Sequence, residues 1–180
     1  ENDEWWGKGF TEWTNVTKAS SKFIGHTQPR LPTDLGFYDL RLPQIMRDQW
    51  KIAENYGIHA FSFYFYWFGG KVLMEKPLQN LLKDKTNNLK FCFTWANENW
   101  TRRWDGLDNE VLISQKYSEQ DSLDFIRYIS KYFKDKRYLK VNGNPILIVY
   151  APNNIPNINH ICFLWRKEIQ KQGFEDIYLI

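Results

Sequence analysis

Ile58-His59-Ala60-Phe61-Ser62-Phe63-Tyr64-Phe65-Tyr66-Trp67-Phe68-Gly69-Gly70 is the stretch that decides the fold. From Ile58 to Tyr66 the run is almost wholly apolar and aromatic, it is strand-length, and a glycine pair follows it. Such a run reads as a strand buried on both faces. Upstream, Leu42, Ile45, Met46, Gln49, Ala53 and Tyr56 recur at helical spacing. They predict a helix over about 40–56, with Asp39 as N-cap, Pro43 in the first turn and Gly57 at the C-terminal end.

Downstream the alternation repeats. A short helix is expected near 77–83, and Leu89 to Trp95 reads as a second buried strand. Residues 96–109 form a polar, aromatic loop, and 111–116 is short and extended. Ser118 followed by Asp121 is a capping signal, and Leu123, Ile126, Ile129 and Phe133 mark a helix over about 119–134. Residues 138–141 and 145–150 are extended around an Asn142-Gly143 turn. A helix over about 159–172 stops at Gly173, and 177–180 starts another strand. Residues 1–38 read as loop, punctuated by glycines and prolines.

Strands alternating with helices predict an α/β fold with a parallel sheet. No glycine-rich phosphate turn follows a strand, so the dinucleotide fingerprint is missing. The chemically dense loops follow Trp67, Trp95 and Tyr150, at C-terminal strand ends. Barrels place their active sites there, although open sheets use the same end. Four strands cannot close a barrel. The expectation is therefore a partial (β/α)8 TIM barrel of about four parallel strands with flanking helices. Residues 1–180 would be the N-terminal portion of one domain, with one strand before Glu1 and three after Ile180.

Composition narrows the function. Aromatic residues make up 18% of the 180-residue chain, with nine Trp, and the net charge is only +3. Basic residues are scattered, so nothing marks a nucleic-acid partner. No stretch approaches a membrane span of about 20 apolar residues. Cys92 and Cys162 sit in apolar runs without metal spacing, which suits buried thiols in a reducing, cytoplasmic setting. No His pair has metal spacing, so no metal or other cofactor is expected.

The richest constellation is Trp95-Ala96-Asn97-Glu98-Asn99-Trp100-Thr101-Arg102-Arg103-Trp104-Asp105-Gly106. Glu98 and Asp105 are carboxylates of the type that serve as acid, base or nucleophile. A spacing of about 5–5.5 Å between such a pair suits retention at a sugar carbon, and about 6.5–9.5 Å suits inversion. Arg102 and Arg103 are candidates for clamping a phosphate or carboxylate, and the indoles for stacking on sugar C–H faces. Arg103 with Asp105 also reads as a structural pair. In the second constellation, Asn2 to Val16, Trp6, Glu12 and Trp13 read as rim residues of a pocket or as a hydrophobic plug. In the third, one of Tyr64 and Tyr66 is expected to face a pocket and the other to pack in the core, with Trp67 at the strand end. Arg30 reads as tying its loop down, His26 as a candidate ligand contact, and His59 as structural.

These segments together resemble the WbsX-type proteins, a group usually described as similar to glycoside hydrolase family 99. Glu4-Trp5-Trp6-Gly7-Lys8-Gly9-Phe10-Thr11-Glu12-Trp13, Gln28-Pro29-Arg30-Leu31-Pro32, Leu35-Gly36-Phe37-Tyr38-Asp39-Leu40 and, most specifically, Trp95 to Gly106 carry the resemblance. It implies a (β/α)8 barrel in bacterial O-antigen or capsule polysaccharide synthesis. The family 99 endo-α-mannosidases carry their catalytic carboxylates on a Glu-x-x-Glu motif late in the barrel. No such motif follows Tyr150, so the resemblance implies that this segment supplies the sugar-binding floor and rim.

The leading expectation is a carbohydrate-active enzyme domain acting on glycosidic linkages of a polysaccharide. The alternatives are a WbsX-type glycosyltransferase and a non-catalytic carbohydrate-binding domain. Glu98 is the candidate catalytic residue. Substrate-binding candidates are Trp6, Glu12, Trp13, Tyr64, Trp67, Trp95, Asn97, Asn99, Trp100, Arg102, Arg103, Asp105 and Tyr150. The partner expected is an oligosaccharide or polysaccharide, with fusion to, or work beside, other glycosyltransferases.

Overall fold

The computed structural model describes residues 2–180, with side chains from Glu4 onward. The chain opens with two short helices, α1 (Asn2–Trp6) and α2 (Glu12–Lys18), before α3 (Pro43–Asn55), β1 (Phe61–Phe68) and β2 (Lys71–Leu73). There follow α4 (Lys76–Lys83), β3 (Phe91–Trp95) and the strands β4 (Trp100–Arg102) and β5 (Leu107–Ile113). Helix α5 (Glu119–Phe133), β6 (Lys140–Val141), β7 (Asn144–Val149), α6 (Ile158–Lys171) and β8 (Tyr178–Leu179) complete it.

The four strands expected to be parallel neighbours are parallel neighbours. β1 pairs with β3, β3 with β7 and β7 with β8, all parallel, in chain order. β2 and β6 add antiparallel pairs at the end of β1 and the start of β7. Asn142 and Gly143 both take positive φ, 50° and 83°, in the β6–β7 turn. That is the conformation a two-residue type I′ hairpin demands, and Asn-Gly adopts it at low steric cost.

Period-two alternation builds the core. Phe61, Phe63, Phe65 and Trp67 share one face of β1, and their rings meet Trp50 of α3, Phe91 of β3, Tyr132 of α5 and Tyr128 of α5 respectively. Trp95 stacks on Phe125 of α5, centroids 4.4 Å apart, and meets Trp165 of α6 edge-on. The helices supply their own apolar faces to this layer: Met46 and Trp50, Leu78 and Leu81, Ile126 and Ile129, Ile161 and Ile169 are all buried.

The other sheet face differs from expectation. Ser62 and Tyr64 on β1 are exposed, as are Tyr150 and Tyr178. The described helices cover one side of the strands; on the opposite side burial is patchy, with Cys92 5% exposed and Phe68 6% exposed in a small cluster with Leu73 and Trp100. Ser62 and Thr94 exchange a 2.7 Å hydroxyl hydrogen bond across that open face.

Local corrections have local causes. Leu42, not Asp39, precedes the first turn of α3, with Pro43 at its start. Asp39 instead accepts from the guanidinium and backbone N–H of Arg41. The loop expected over 1–38 contains α1 and α2, the latter capped reciprocally by Thr11 and Thr14. The polar loop expected over 96–109 contains β4 and runs into β5, an antiparallel pair. The cap of α5 is as expected, with the Ser118 hydroxyl accepting from Asp121 N–H at 3.1 Å.

Glu168 of α6 ties two helices together. It accepts from Arg127 Nε at 2.9 Å and Lys171 Nζ at 3.1 Å, and its side chain is only 5% exposed. Arg127 first, then Lys171, outweigh burial and hold its carboxyl down at about 2, below the usual 4.5. A depressed carboxyl stabilises the fold above its unfolded pKa, and that stability is lost as pH falls through the folded value. Glu168→Gln is therefore expected to lower the melting temperature at pH 7. The gap to wild type should narrow as pH falls from about 4.5 toward about 2, which melts across that range check.

Candidate functional site

The C-terminal ends of β1, β3 and β7 open onto a cleft of about 830 Å³. Tyr64 and Tyr66 of β1 both line it, with Phe68 beyond them. Residues two apart on a strand share a face, so the two tyrosines do not divide between pocket and core as the sequence suggested. Ala96, Glu98 and Asn99 come from the loop after β3, and Tyr150 and Asn154 from the loop after β7. Trp100, Thr101, Arg103, Trp104 and Asp108 enter from the β4–β5 segment. Tyr64 and Tyr150 meet edge to face with centroids 6.0 Å apart, and Tyr66 meets Trp100 likewise at 5.2 Å.

Asn97 organises the loop junction. It is fully buried. Its Nδ2 donates to Ala151 O at 2.8 Å, and its Oδ1 accepts from Ala151 N–H at 2.8 Å. The amide thus continues the β3–β7 ladder beyond the Tyr150 N–H to Trp95 O bond. The Tyr117 hydroxyl donates to the Asn97 carbonyl. Burial raises the Tyr117 pKa, the nearby Glu98 charge adding to it and the Asn97 and Asn154 hydrogen bonds opposing it. Glu98 and Tyr150, the neighbours of this clamp, are thereby fixed relative to each other. Glu98 itself is exposed to the cleft, and no described residue donates a hydrogen bond to its carboxylate. It is free to receive one from a ligand.

Both arginines of the motif are engaged. Arg102 donates to Glu110 at 2.6 Å, to Trp5 O at 3.3 Å and to Asp105 at 3.4 Å. Arg103 pairs with Asp108 at 2.9 Å, and that bond leads the causes raising its pKa, with the Glu98 charge a lesser contribution. The pair expected between Arg103 and Asp105 is replaced by these two. Asp105 is used structurally, accepting from Trp6 Nε1 at 2.7 Å.

Trp6 therefore serves the hairpin rather than the cleft wall, stacking on Phe10 as well. Asn15 Nδ2 donates to Trp104 O at 2.8 Å, so α1 and α2 together brace the segment that carries Arg103 and Trp104. Trp13 donates to Tyr38 O, and Glu12 hydrogen-bonds the Tyr38 hydroxyl, whose pKa burial and Glu12 push to about 12. Trp67 and Trp95 lie on the helical side of the sheet, 3% and 1% exposed. Trp67 donates to Asp121 at 2.8 Å. Strand parity aims these two rings away from the cleft.

Several lining residues went unnoticed in the sequence: Phe68, Met74, Tyr117 and Asn154. Met74 takes a left-handed φ of 56°. Its neighbour Glu75 is gripped by Tyr128, Tyr132, Lys131 and Gln79. Burial pushes the Glu75 carboxyl up, but these four donors outweigh it and the pKa falls. Only the glycines and the strand-end position hinted at this lip. His26 lies off the cleft, stacked on Phe23. No cluster of His, Cys, Asp and Glu suited to a metal occurs among the described residues. No helix there is long and apolar enough to cross a membrane.

Comparison with known proteins agrees with this architecture. A solved glycoside hydrolase-like protein superposes with a TM-score of 0.58 at 14% identity, covering 83% of this chain and 46% of that one, which is a likeness of fold. The Bacteroides thetaiotaomicron family 99 endo-α-mannosidase gives a TM-score of 0.46 at 17% identity, over 69% and 32% of the two chains. Two Xanthomonas campestris proteins named WxcX, from strains B100 and ATCC 33913, are 49% identical over 179 residues, 99% of this chain. The chain spans about a quarter of their length, 26%. The model of the family described as glycosyltransferase WbsX matches residues 1–180, and the chain belongs to that family.

Proposed function

We propose that this chain forms one wall of the saccharide cleft of a carbohydrate-active (β/α)8 barrel acting on glycosidic linkages of a polysaccharide. The observation that carries the reading is the exposed Glu98 carboxylate, which accepts no hydrogen bond from a described residue, among the rings of Tyr64, Trp100, Trp104 and Tyr150 at the C-terminal strand ends. Sugars present apolar C–H faces and hydroxyl edges, and this cleft offers rings for the first and Glu98, Asn99 and Asn154 for the second. The barrel reading is supported by strand order. β1, β3, β7 and β8 follow one another without the reversal that marks a doubly wound sheet. The uncovered sheet face would then be barrel interior, closed by strands outside residues 1–180.

In this role Glu98 accepts hydrogen bonds from sugar hydroxyls or moves a proton at the glycosidic oxygen, while Asn97 and Asn99 shape its loop. Tyr150 and Tyr64 orient the ring that stacks on them. The motif residues Arg102, Asp105 and Trp6 hold the β4–β5 hairpin in place. The Glu12–Tyr38 and Trp13–Tyr38 bonds fasten the preceding segment.

A second reading, glycosyl transfer, is favoured by the family's description. Work beside further glycosyltransferase domains is supported by the greater length of the WxcX relatives. Two free cysteines support a cytoplasmic setting. The test incubates the full-length protein with surface polysaccharide, with and without activated sugar donors. New reducing ends without donor indicate hydrolysis, donor-dependent growth indicates transfer, and binding without either indicates a non-catalytic module. No binding and no turnover contradicts the reading.

A further inference from the structure

We infer that the cleft wall built by this chain receives an uncharged stretch of glycan, and neither the phosphates of an activated sugar nor a run of uronic acids. The inference rests on the saccharide reading above and adds the charge class of the ligand to it.

Three charged residues line the cleft: Glu98, Arg103 and Asp108. Two carboxylates thus face one guanidinium. That guanidinium is already bonded to Asp108, with both side chains solvated at 73% and 61% exposure. Arg102, the other cation of the motif, is closed in by Glu110, Asp105 and the Trp5 carbonyl. A phosphate or uronate entering here would meet a net negative charge on this wall, with Arg103, shared between Asp108 and the nearby Glu98 charge, the one cation among the described lining residues. Charge-assisted donors are what anionic ligands require, and like charge brought close repels with little screening once solvent is displaced.

What the wall does offer suits a neutral ligand. Seven aromatic residues line it, the rings of Tyr64, Trp104 and Tyr150 among the most exposed, beside the side-chain amides of Asn99 and Asn154. Ring stacking and amide hydrogen bonds depend little on salt. A carboxylate that accepts no hydrogen bond from the described residues is a strong acceptor for hydroxyl donors, which neutral and N-acetylated sugars carry in number.

The test uses the full-length protein with three probes: neutral and N-acetylated hexasaccharides, an oligogalacturonate, and UDP-glucose. Binding is measured at low and high sodium chloride for wild type and Trp104→Ala. Trp104 is 44% exposed at the hairpin tip, so its loss assigns binding to this wall without unfolding the protein. The expected result is neutral binding that changes by no more than about twofold with salt and weakens about tenfold in Trp104→Ala. Oligogalacturonate or UDP-glucose binding that Trp104→Ala weakens and salt abolishes would overturn the inference and leave the saccharide reading standing. If Trp104→Ala weakens no probe, the saccharide reading of this wall fails, and the inference with it.

Discussion

Trp95→Ala is expected to destabilise the protein by about 3–5 kcal/mol, the range for deleting a large buried aromatic. Trp95 is 1% exposed, stacked on Phe125 at 4.4 Å and edge-on to Trp165 at 5.9 Å. It sits where β3, α5 and α6 meet, so no neighbouring side chain can relax into the space without moving a helix. A loss of this size is a large fraction of a typical total stability of about 5–15 kcal/mol. The melting temperature should fall by roughly 6–20 °C. Trp104→Ala, at the exposed hairpin tip, should move it by about 2 °C or less. Melts of the two variants side by side distinguish the tryptophan that holds the fold from the one that faces the cleft.

Glu98→Gln is expected to do the reverse. The change keeps shape but removes charge and proton-transfer capacity. Glu98 is exposed and its carboxylate holds no hydrogen bond from a described residue, while Arg102 and Arg103 are anchored by other carboxylates. Stability should therefore stay within about 0.5 kcal/mol of wild type. A charged hydrogen bond to a ligand contributes about 1.5–3 kcal/mol. Saccharide binding or turnover in the full-length protein should accordingly fall about 10- to 100-fold. Both quantities are read from one sample. A lowered melting temperature with full activity would make Glu98 a structural residue.

The parts of the fold that follow from periodicity were legible in the sequence. α3, α5 and α6 announce themselves through apolar spacing, and the Asn142-Gly143 turn through its two permissive residues. The four parallel strands follow from apolar runs between helices. The β4–β5 pair was not legible, because most of β5 is exposed and so carries no apolar stripe. α1 and α2 span five and seven residues, too few to show a period. Their contacts with the hairpin and with Tyr38 are tertiary and leave no local signature.

The candidate site was legible by position and illegible by direction. The loop after Trp95 was recognisable from its density of amide, carboxylate and indole groups, and Glu98, Asn99, Trp100 and Arg103 do line the cleft. Which strand residues join them depends on which sheet face the helices cover. That choice turns Trp67 and Trp95 inward and leaves Tyr64, Tyr66 and Tyr150 on the cleft. Asn97 illustrates the same limit, since a polar residue in a polar loop looks like a ligand contact until its partners across the β3–β7 junction are seen.

The most direct test of the saccharide cleft is hydroxyl-radical footprinting of the full-length protein with and without bound polysaccharide. Tyr64, Trp104 and Tyr150 are 54%, 44% and 52% exposed in the free chain, and Tyr56 and Phe163, at 84% and 53%, serve as reporters away from the cleft. A saccharide seated in this cleft is expected to protect Tyr64, Trp104 and Tyr150 and to leave Tyr56 and Phe163 unchanged. Unaltered labelling of the three cleft residues by a polysaccharide that is demonstrably bound would contradict that seating.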